Sequence, residues 1–402
     1  MLAVAQAQAR ILAALAPVGA ETVSLAQSAG RTLAADLVAK LTQPPAAVSA
    51  MDGYAVRAAD LAQAPATLRR IGTAPAGHPF AGSVGPGECV RIFTGAIVPD
   101  GADTILIQEN AEADGERIRA KQSEPVGRFV RPAGLDFKRG QTLLRAGTVL
   151  GPRQIGLAAA ANHAWLEVRR RPRVAILATG DEIVLPGTEP LPGQIVSSNS
   201  AALAAFVEQA GGVASVLPIA PDTTEALQAL AAGARGSDLL VTTGGASVGD
   251  HDLVRTALGT SGLALDFWQI AMRPGKPLMF GRYGDVPMLG LPGNPVSSLV
   301  CAVLFLGPML ATMLGRSDPL PKRRRAVLGA DLPANDLRED YLRAKIAEDE
   351  NGNLVATPFA RQDSSMLTLL ATADALVVRP PHAPPAKTGD DVQFLELAAA
   401  CG

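Results

Sequence analysis

Between residues 172 and 315 the chain repeats one pattern: a short apolar run, a polar turn containing glycine, then a helix. Val174-Ala175-Ile176-Leu177 runs into Thr179-Gly180-Asp181-Glu182. Leu239-Leu240-Val241 runs into Thr242-Thr243-Gly244-Gly245-Ala246-Ser247-Val248-Gly249-Asp250. Met288-Leu289-Gly290-Leu291 runs into Pro292-Gly293-Asn294-Pro295 and a long apolar helix. Apolar runs without alternation suit strands buried on both faces, and strands separated by helices need right-handed crossovers. The pattern predicts a three-layer α/β domain over residues 171–318 with a mostly parallel sheet. Leu203, Phe206 and Val207 mark the apolar face of one helix, with Ser198-Asn199-Ser200 as its cap.

The flanks read differently. Residues 1–42 give a helix, a turn and an extended piece, and residues 141–170 give a helix and a strand that could pack back on the N-terminal helix as one discontinuous domain. Pro44-Pro45 opens a Gly/Pro-punctuated stretch of short β-rich runs over 43–140, a small β domain inserted in that unit. Residues 319–402 carry further strand-like runs around the rigid 380–385 segment, a C-terminal β-barrel-like domain. The fold class is therefore multidomain α/β plus β.

Net charge is −2, which argues against nucleic acid as the main partner. The run Lys322-Arg323-Arg324-Arg325 reads as a solvated linker, with an anion contact as the alternative. Cys89, Cys301 and Cys401 are few, odd in number and far apart, which suits a reducing, cytoplasmic setting. Four histidines without HExxH spacing argue against a zinc enzyme. The start of the chain does not read as a signal peptide, and the apolar stretch 296–314 reads as a buried helix, so no membrane is expected.

In an open parallel sheet, ligands bind beyond the carboxyl ends of the strands, and three polar turns fall there. Glycines let backbone N–H groups turn inward as a nest for phosphate, although one such turn alone could be an ordinary connection. Asp181, Glu182, Asp222, Asp250 and Asp252 accompany these turns. Carboxylates beside phosphates hold Mg²⁺, and helix capping is the alternative for some of them, Asp181 above all. Arg273-Pro274-Gly275-Lys276-Pro277 reads as a rigid turn projecting two cations toward an oxyanion, or else a solvated turn. Asp52, after the Pro44-Pro45 break, marks either a further acid or a plain turn.

Six segments stand in one order: Ser49-Ala50-Met51-Asp52-Gly53-Tyr54-Ala55, Arg91-Ile92-Phe93-Thr94-Gly95-Ala96, the 179–182 turn, Gly244-Gly245-Ala246-Ser247-Val248-Gly249-Asp250, the 273–277 turn, and Leu291-Pro292-Gly293-Asn294-Pro295-Val296-Ser297. Together they resemble the molybdopterin molybdenumtransferase family, of the MoeA and gephyrin E-domain type, over nearly the whole chain. The resemblance implies an elongated four-domain protomer and a homodimer. It implies insertion of molybdenum from molybdate into adenylylated molybdopterin, with Mg²⁺-dependent release of AMP. A molybdopterin adenylyltransferase and apo-molybdoenzymes or their chaperones are the implied partners.

Carried over, Glu182, Asp222, Ser247 and Asp252 match positions that handle the adenylylated end and its Mg²⁺. Gly244, Gly245, Gly249, Asp250, Pro292, Asn294 and Pro295 belong to the turns that cradle it. Asp52, Thr94, Arg131 and Asp136 match positions of the β domain that face the cleft across the dimer. Asp52, Glu182, Asp222 and Asp252 form the implied catalytic set. Arg273, Lys276, Ser297, Arg343 and Ser364 match the cluster associated with molybdate. The chain departs from the family pattern at Leu135, Arg273, Thr223 and Asp363, where an acid, a lysine, a second aspartate and a glycine are common. Two rival functions are an adenylyltransferase that makes the adenylylated pterin, and a non-catalytic cofactor carrier or scaffold.

Overall fold

The computed structural model describes residues 1–244 and 253–397. Among these, the central sheet has six strands: β1 (Arg173–Ala178), β2 (Val213–Val216), β3 (Leu239–Thr243), β4 (Leu263–Phe267), β5 (Met279–Tyr283) and β6 (Val286–Leu291). Their spatial order is β2-β1-β3-β6-β5-β4. The first four are parallel, and β5 is antiparallel to both its neighbours. The antiparallel edge has a local cause: Tyr283 faces Val286 across Gly284-Asp285, a link too short for a crossover.

Both sheet faces are covered, which explains the unbroken apolar runs. Val174, Ile176, Leu239 and Val241 pack with Leu203, Phe206 and Val207 of the Asn199–Gln209 helix. The alternate residues Ala175, Leu177 and Leu240 pack on the other side with Leu227 and Ala231 of Thr224–Ala231 and with Val254, Ala257 and Leu258. At period two, adjacent residues of β1 thus feed two different cores.

The apolar stretch after β6 is one long helix, Pro295–Met313, with a π-helical segment at Ala302–Leu306; 83% of its most apolar window is buried in protein. The Val4–Ala13 helix packs Val4, Ala7 and Ile11 into the same core, and Gln8 Nε2 donates to the Leu304 carbonyl at 2.9 Å. This corrects the expected placement of residues 1–42: the first helix joins the α/β core. The strand after it, Ala20–Ser24, pairs with Trp165–Arg169, and Leu37–Val38 pairs with Thr142–Leu144.

In the 43–140 stretch, six strands form a separate sheet ordered Thr104–Ile107, Gly53–Val56, Glu88–Ile92, Ala66–Ala74, Arg117–Ala120, Ala111–Asp114. At the C-terminal end, Glu339–Glu348, Leu354–Pro358, Arg323–Leu328, Asp391–Glu396 and Ala375–Arg379 pair in a closed ring. The basic run is not a linker. Arg323, Arg324 and Arg325 open a strand of this ring, with Arg323 bonded to Glu339 at 2.8 Å and Arg324 to Glu396 at 2.9 Å. Met272–Arg273 pairs in parallel with Glu339 and Asp340, so the α/β domain lends the ring an extra strand.

Candidate functional site

Because β1, β3 and β6 are adjacent and parallel, their three polar turns emerge side by side. Gly244 leaves β3 at φ +91°, and a Cβ there would stand 2.4 Å from the Thr179 carbonyl oxygen. Glycine alone permits both the conformation and the approach. Asn199 ties the turns together: its Nδ2 donates to Thr243 Oγ1 and to the Gly293 carbonyl, both at 2.8 Å. The helix start Ser198-Asn199-Ser200 was expected to act as a cap, but Ser198 makes no side-chain capping bond. Its asparagine serves the neighbouring turns instead, a role the sequence signalled only by position after a strand.

A cleft of about 650 Å³ opens over these turns, lined among others by Glu182, Asn199, Gly244, Pro292, Asn294 and Pro295. Ile183, Ile195 and Val196 give it an apolar wall. Gly245, Ser247, Gly249, Asp250 and Asp252 lie outside the described residues.

The carboxylates divide by their bonds. Asp222 Oδ1 accepts from Thr179 Oγ1 at 2.8 Å, and the Asp222 N–H donates to Asp181 Oδ1 at 3.0 Å. Asp181 therefore braces a loop rather than capping a helix. The cap of Thr224–Ala231 is Thr223, whose hydroxyl accepts from the Ala226 N–H at 3.2 Å. Glu182 lines the cleft with no side-chain partner among the described residues. No cluster of three or more His, Cys, Asp or Glu side chains occurs among the described residues. A partner-free Glu182 and the half-used Asp222 carboxylate fit a cation of the Mg²⁺ type, which takes one or two carboxylates and completes its shell with phosphate and water.

The basic residues are not equivalent. Arg343 is 1% exposed. Its backbone N–H and Nε donate to Gln362 Oε1 at 3.0 and 3.2 Å, and Nη1 donates to the Met366 carbonyl at 3.1 Å. Nη2 is buried with no partner among the described residues. Burial pulls the Arg343 guanidinium below its usual range, opposed by the charge of Asp363. A buried cation with one unspent donor edge is a ready oxyanion seat. Lys276 is half-buried and has no side-chain partner among the described residues.

Arg273 behaves otherwise. Its Nε donates to Asp340 Oδ1 at 2.9 Å, Nη2 donates to Asp340 Oδ2, and Nη1 lies 3.7 Å from Asp336 Oδ2. The bonds to Asp340 raise its pKa against the cost of desolvation. The expectation that the 273–277 turn projects two cations is corrected: Arg273 is paired with Asp340, and Lys276 alone has no side-chain partner among the described residues.

Ser297 is buried in the first turn of the long helix. The Ser364 hydroxyl accepts from Asn294 Nδ2 at 3.0 Å, and its carbonyl accepts from the Val296 N–H at 3.2 Å. Ser364 thus docks the C-terminal domain on the last of the three turns. Its neighbour Asp363 turns to Ser365, whose N–H and Oγ donate at 2.8 and 2.6 Å and hold the carboxyl below its usual range.

Asp52, Thr94, Arg131 and Asp136 lie in the 43–140 stretch. Asp52 Oδ1 accepts from both the N–H and Oγ1 of Thr94 at 2.8 Å, with Arg91 stacked over Tyr54 and Phe93 nearby. The Thr94 backbone bond, then its hydroxyl, hold the Asp52 carboxyl below the usual range. Arg131 and Asp136 are exposed. Among the described residues, no hydrogen bond or ion pair joins this group to the cleft.

Comparison with known proteins agrees along the chain. Three family descriptions match: the MoeA N-terminal region (domain I and II) over residues 2–162, a probable molybdopterin binding domain over 175–312, and the MoeA C-terminal region (domain IV) over 325–397. Molybdopterin molybdenumtransferase 2 of Mycobacterium tuberculosis is 36% identical over 386 residues, covering 94% of this chain and 95% of the relative. The molybdopterin molybdenumtransferase of a Nostoc species is 34% identical over 388 residues, covering 94% and 88%. A crystal structure of the molybdopterin biosynthesis MoeA protein from Pyrococcus horikoshii superposes with a TM-score of 0.85 at 31% identity, covering 98% and 99% of the two chains.

Proposed function

The chain belongs to the molybdopterin molybdenumtransferase family, and on that premise we propose that it transfers molybdenum from molybdate to adenylylated molybdopterin, releasing AMP and yielding molybdenum cofactor. One observation carries the two-anion reading above others. Arg343 keeps a buried Nη2, unpaired among the described residues, and bonds through Nη1 to the 362–367 loop, whose Ser365 and Leu367 line the same cleft as Glu182.

The turn at Gly244 and the stretch Pro292, Asn294 and Pro295 orient the phosphate end of the substrate, continued by Gly245, Ser247, Gly249 and Asp250. Glu182 and Asp222, with Asp252, would hold Mg²⁺, which when bound neutralises charge on the pyrophosphate. Lys276, Arg343, Ser297 and Ser364 receive molybdate by donating to its oxygens. Attack by a molybdate or water oxygen on the adenylyl phosphorus breaks the P–O bond to the pterin phosphate, and AMP leaves with the attacking oxygen. The two dithiolene sulfurs then bind the metal as one molybdate oxygen departs, on AMP if molybdate attacked or as water with the two thiol protons if water attacked. The protein contributes orientation and electrostatic stabilisation, without a nucleophilic side chain.

The proposal includes a cytoplasmic homodimer, in which Asp52, Thr94, Arg131 and Asp136 of one protomer complete the cleft of the other. It also includes handover from an adenylyltransferase and delivery to apo-molybdoenzymes. The division into 1–42 with 141–170, 43–140, 171–318 and 319–402 is part of it, amended for the first helix; the separate strand pairings support it.

The test is AMP release from adenylylated molybdopterin, with and without molybdate. Molybdate-dependent release, slowed at least about tenfold by Glu182→Ala, is expected. Formation of the adenylylated pterin from ATP with no need for molybdate would instead identify an adenylyltransferase.

A further inference from the structure

We infer that Arg273 is a positioning residue of the oxyanion site and not one of its ligands: paired with Asp340, it sets where Lys276 and Arg343 stand. The inference rests on the molybdate reading above.

Arg273 and Asp340 are register partners in the parallel pairing of Met272–Arg273 with the Glu339–Glu348 strand. The guanidinium meets the carboxylate as a fork, through Nε at 2.9 Å and through Nη2. Asp340 is only 4% exposed, so its charge depends on this partner. Arg273 Nη2 also reaches Asn335 Oδ1 at 3.4 Å. That amide is held in turn by the carbonyls of Arg338, Arg379 and Pro380, at 2.8, 3.0 and 2.9 Å. Asp336 adds a second carboxylate at 3.7 Å. The Nε–Nη2 edge, the fork a guanidinium offers an oxyanion, is thereby spent on Asp340, and Nη1 faces the carboxylate of Asp336.

The two remaining cations follow from that pair. Arg273 ends its short strand and opens the turn that carries Lys276, whose carbonyl accepts from the Ile270 N–H at 3.1 Å, while Arg343 stands three residues beyond Asp340 on the partner strand; the pair therefore ties the base of the Lys276 turn to the strand of Arg343. One comes from the α/β domain and the other from the C-terminal ring. The Arg273–Asp340 fork joins the two beside the Glu339 N–H to Ala271 carbonyl bond at 2.9 Å, nearer to both cations in sequence than the Ser364 contacts with Asn294 and Val296. Gln362 completes the fixing, since its Nε2 donates to the carbonyls of Arg343 and Phe359 at 3.0 and 2.9 Å while its Oε1 holds Arg343 Nε. Arg343 is thereby held in place with Nη2 as its one nitrogen lacking a partner among the described residues.

The experiment is a double-mutant cycle on the intact protein, reading the molybdate KM and kcat of AMP release. Lys276→Ala, which removes a ligand, is expected to raise the molybdate KM about tenfold or more. Arg273→Ala and Asp340→Asn are each expected to raise it about tenfold, with kcat at saturating molybdate changing less. The double variant should be no worse than either alone, because both break the same tie. Arg273→Lys, which keeps the charge opposite Asp340, should recover much of the loss. If Asp340→Asn does not fold, Asp340→Glu, which keeps the charge and lengthens the arm, closes an equivalent cycle. Arg273→Ala raising KM by the same factor in the Asp340 variant as in the wild type would make Arg273 a direct ligand and overturn the inference. Wild-type AMP release that ignores molybdate would overturn the functional reading itself, and this inference with it.

Discussion

At the scale of single residues, the cleft depends on atoms that have no second option. Gly244 sits at φ +91° with the Thr179 carbonyl in the space a Cβ would take, so Gly244→Ala is expected to destabilise the protein by about 1–3 kcal/mol and to lower turnover; denaturant midpoints measure the first. Asn199→Ala removes both donors that tie Thr243 to Gly293 and is expected to cost about 1–2 kcal/mol in the same assay. Asp52 gives a pH prediction. Its carboxyl is held low first by the Thr94 N–H, then by the Thr94 hydroxyl. A depressed carboxyl contributes stability above its unfolded value, about 3.9, and that contribution fades as pH falls through the folded value. Thr94→Val keeps the larger bond and loses the smaller, so the Asp52 midpoint should rise only part of the way, as carboxyl-carbon NMR titration would report. The polar turns that follow β1, β3 and β6, with Gly244 at the end of β3, were legible in the sequence because their chemistry is local. The partner of Arg273 was not, since Asp340 lies 67 residues away on the strand that Met272–Arg273 joins.

At the scale of elements, apolar pattern fixed what could be anticipated. The runs that became β1, β3 and β6 are buried on both faces, and the long helix after β6, long and apolar enough to cross a membrane, has 83% of its most apolar window buried in protein. Leu310 on that helix is fully buried, and Leu310→Ala is expected to cost about 2–5 kcal/mol in urea unfolding. The β5–β6 hairpin escaped notice because a two-residue Gly-Asp link between short runs resembles any surface turn until its register is seen. The basic run misled for a different reason. Charge suggested solvent, but an edge of a ring can carry arginines whose stems pack and whose heads pair across strands, as Arg324 does over Phe394 and with Glu396.

At the scale of the whole molecule, the site is assembled from parts that are far apart in the chain. In the proposed site the α/β domain supplies the phosphate turns and Lys276, and the C-terminal ring supplies Arg343. The first helix, at the other end of the sequence, stabilises the same core through Val4, Ala7 and Ile11, a placement periodicity cannot give because it reports which face is apolar and not what covers it. If the β domain completes the cleft of a second protomer, Asp52→Ala and Arg343→Ala variants, each impaired alone, should regain activity when mixed and re-associated. Random exchange would restore about a quarter of the sites. The central claim is that one cleft couples two anions, an adenylylated pyrophosphate and molybdate. Its most direct measurement is anaerobic incubation of the protein with adenylylated molybdopterin, Mg²⁺ and molybdate, following AMP release and molybdenum uptake in the same sample. The two should rise together, one AMP for each molybdenum incorporated, and neither should proceed at speed without molybdate. AMP appearing at full rate with no metal taken up would contradict the account.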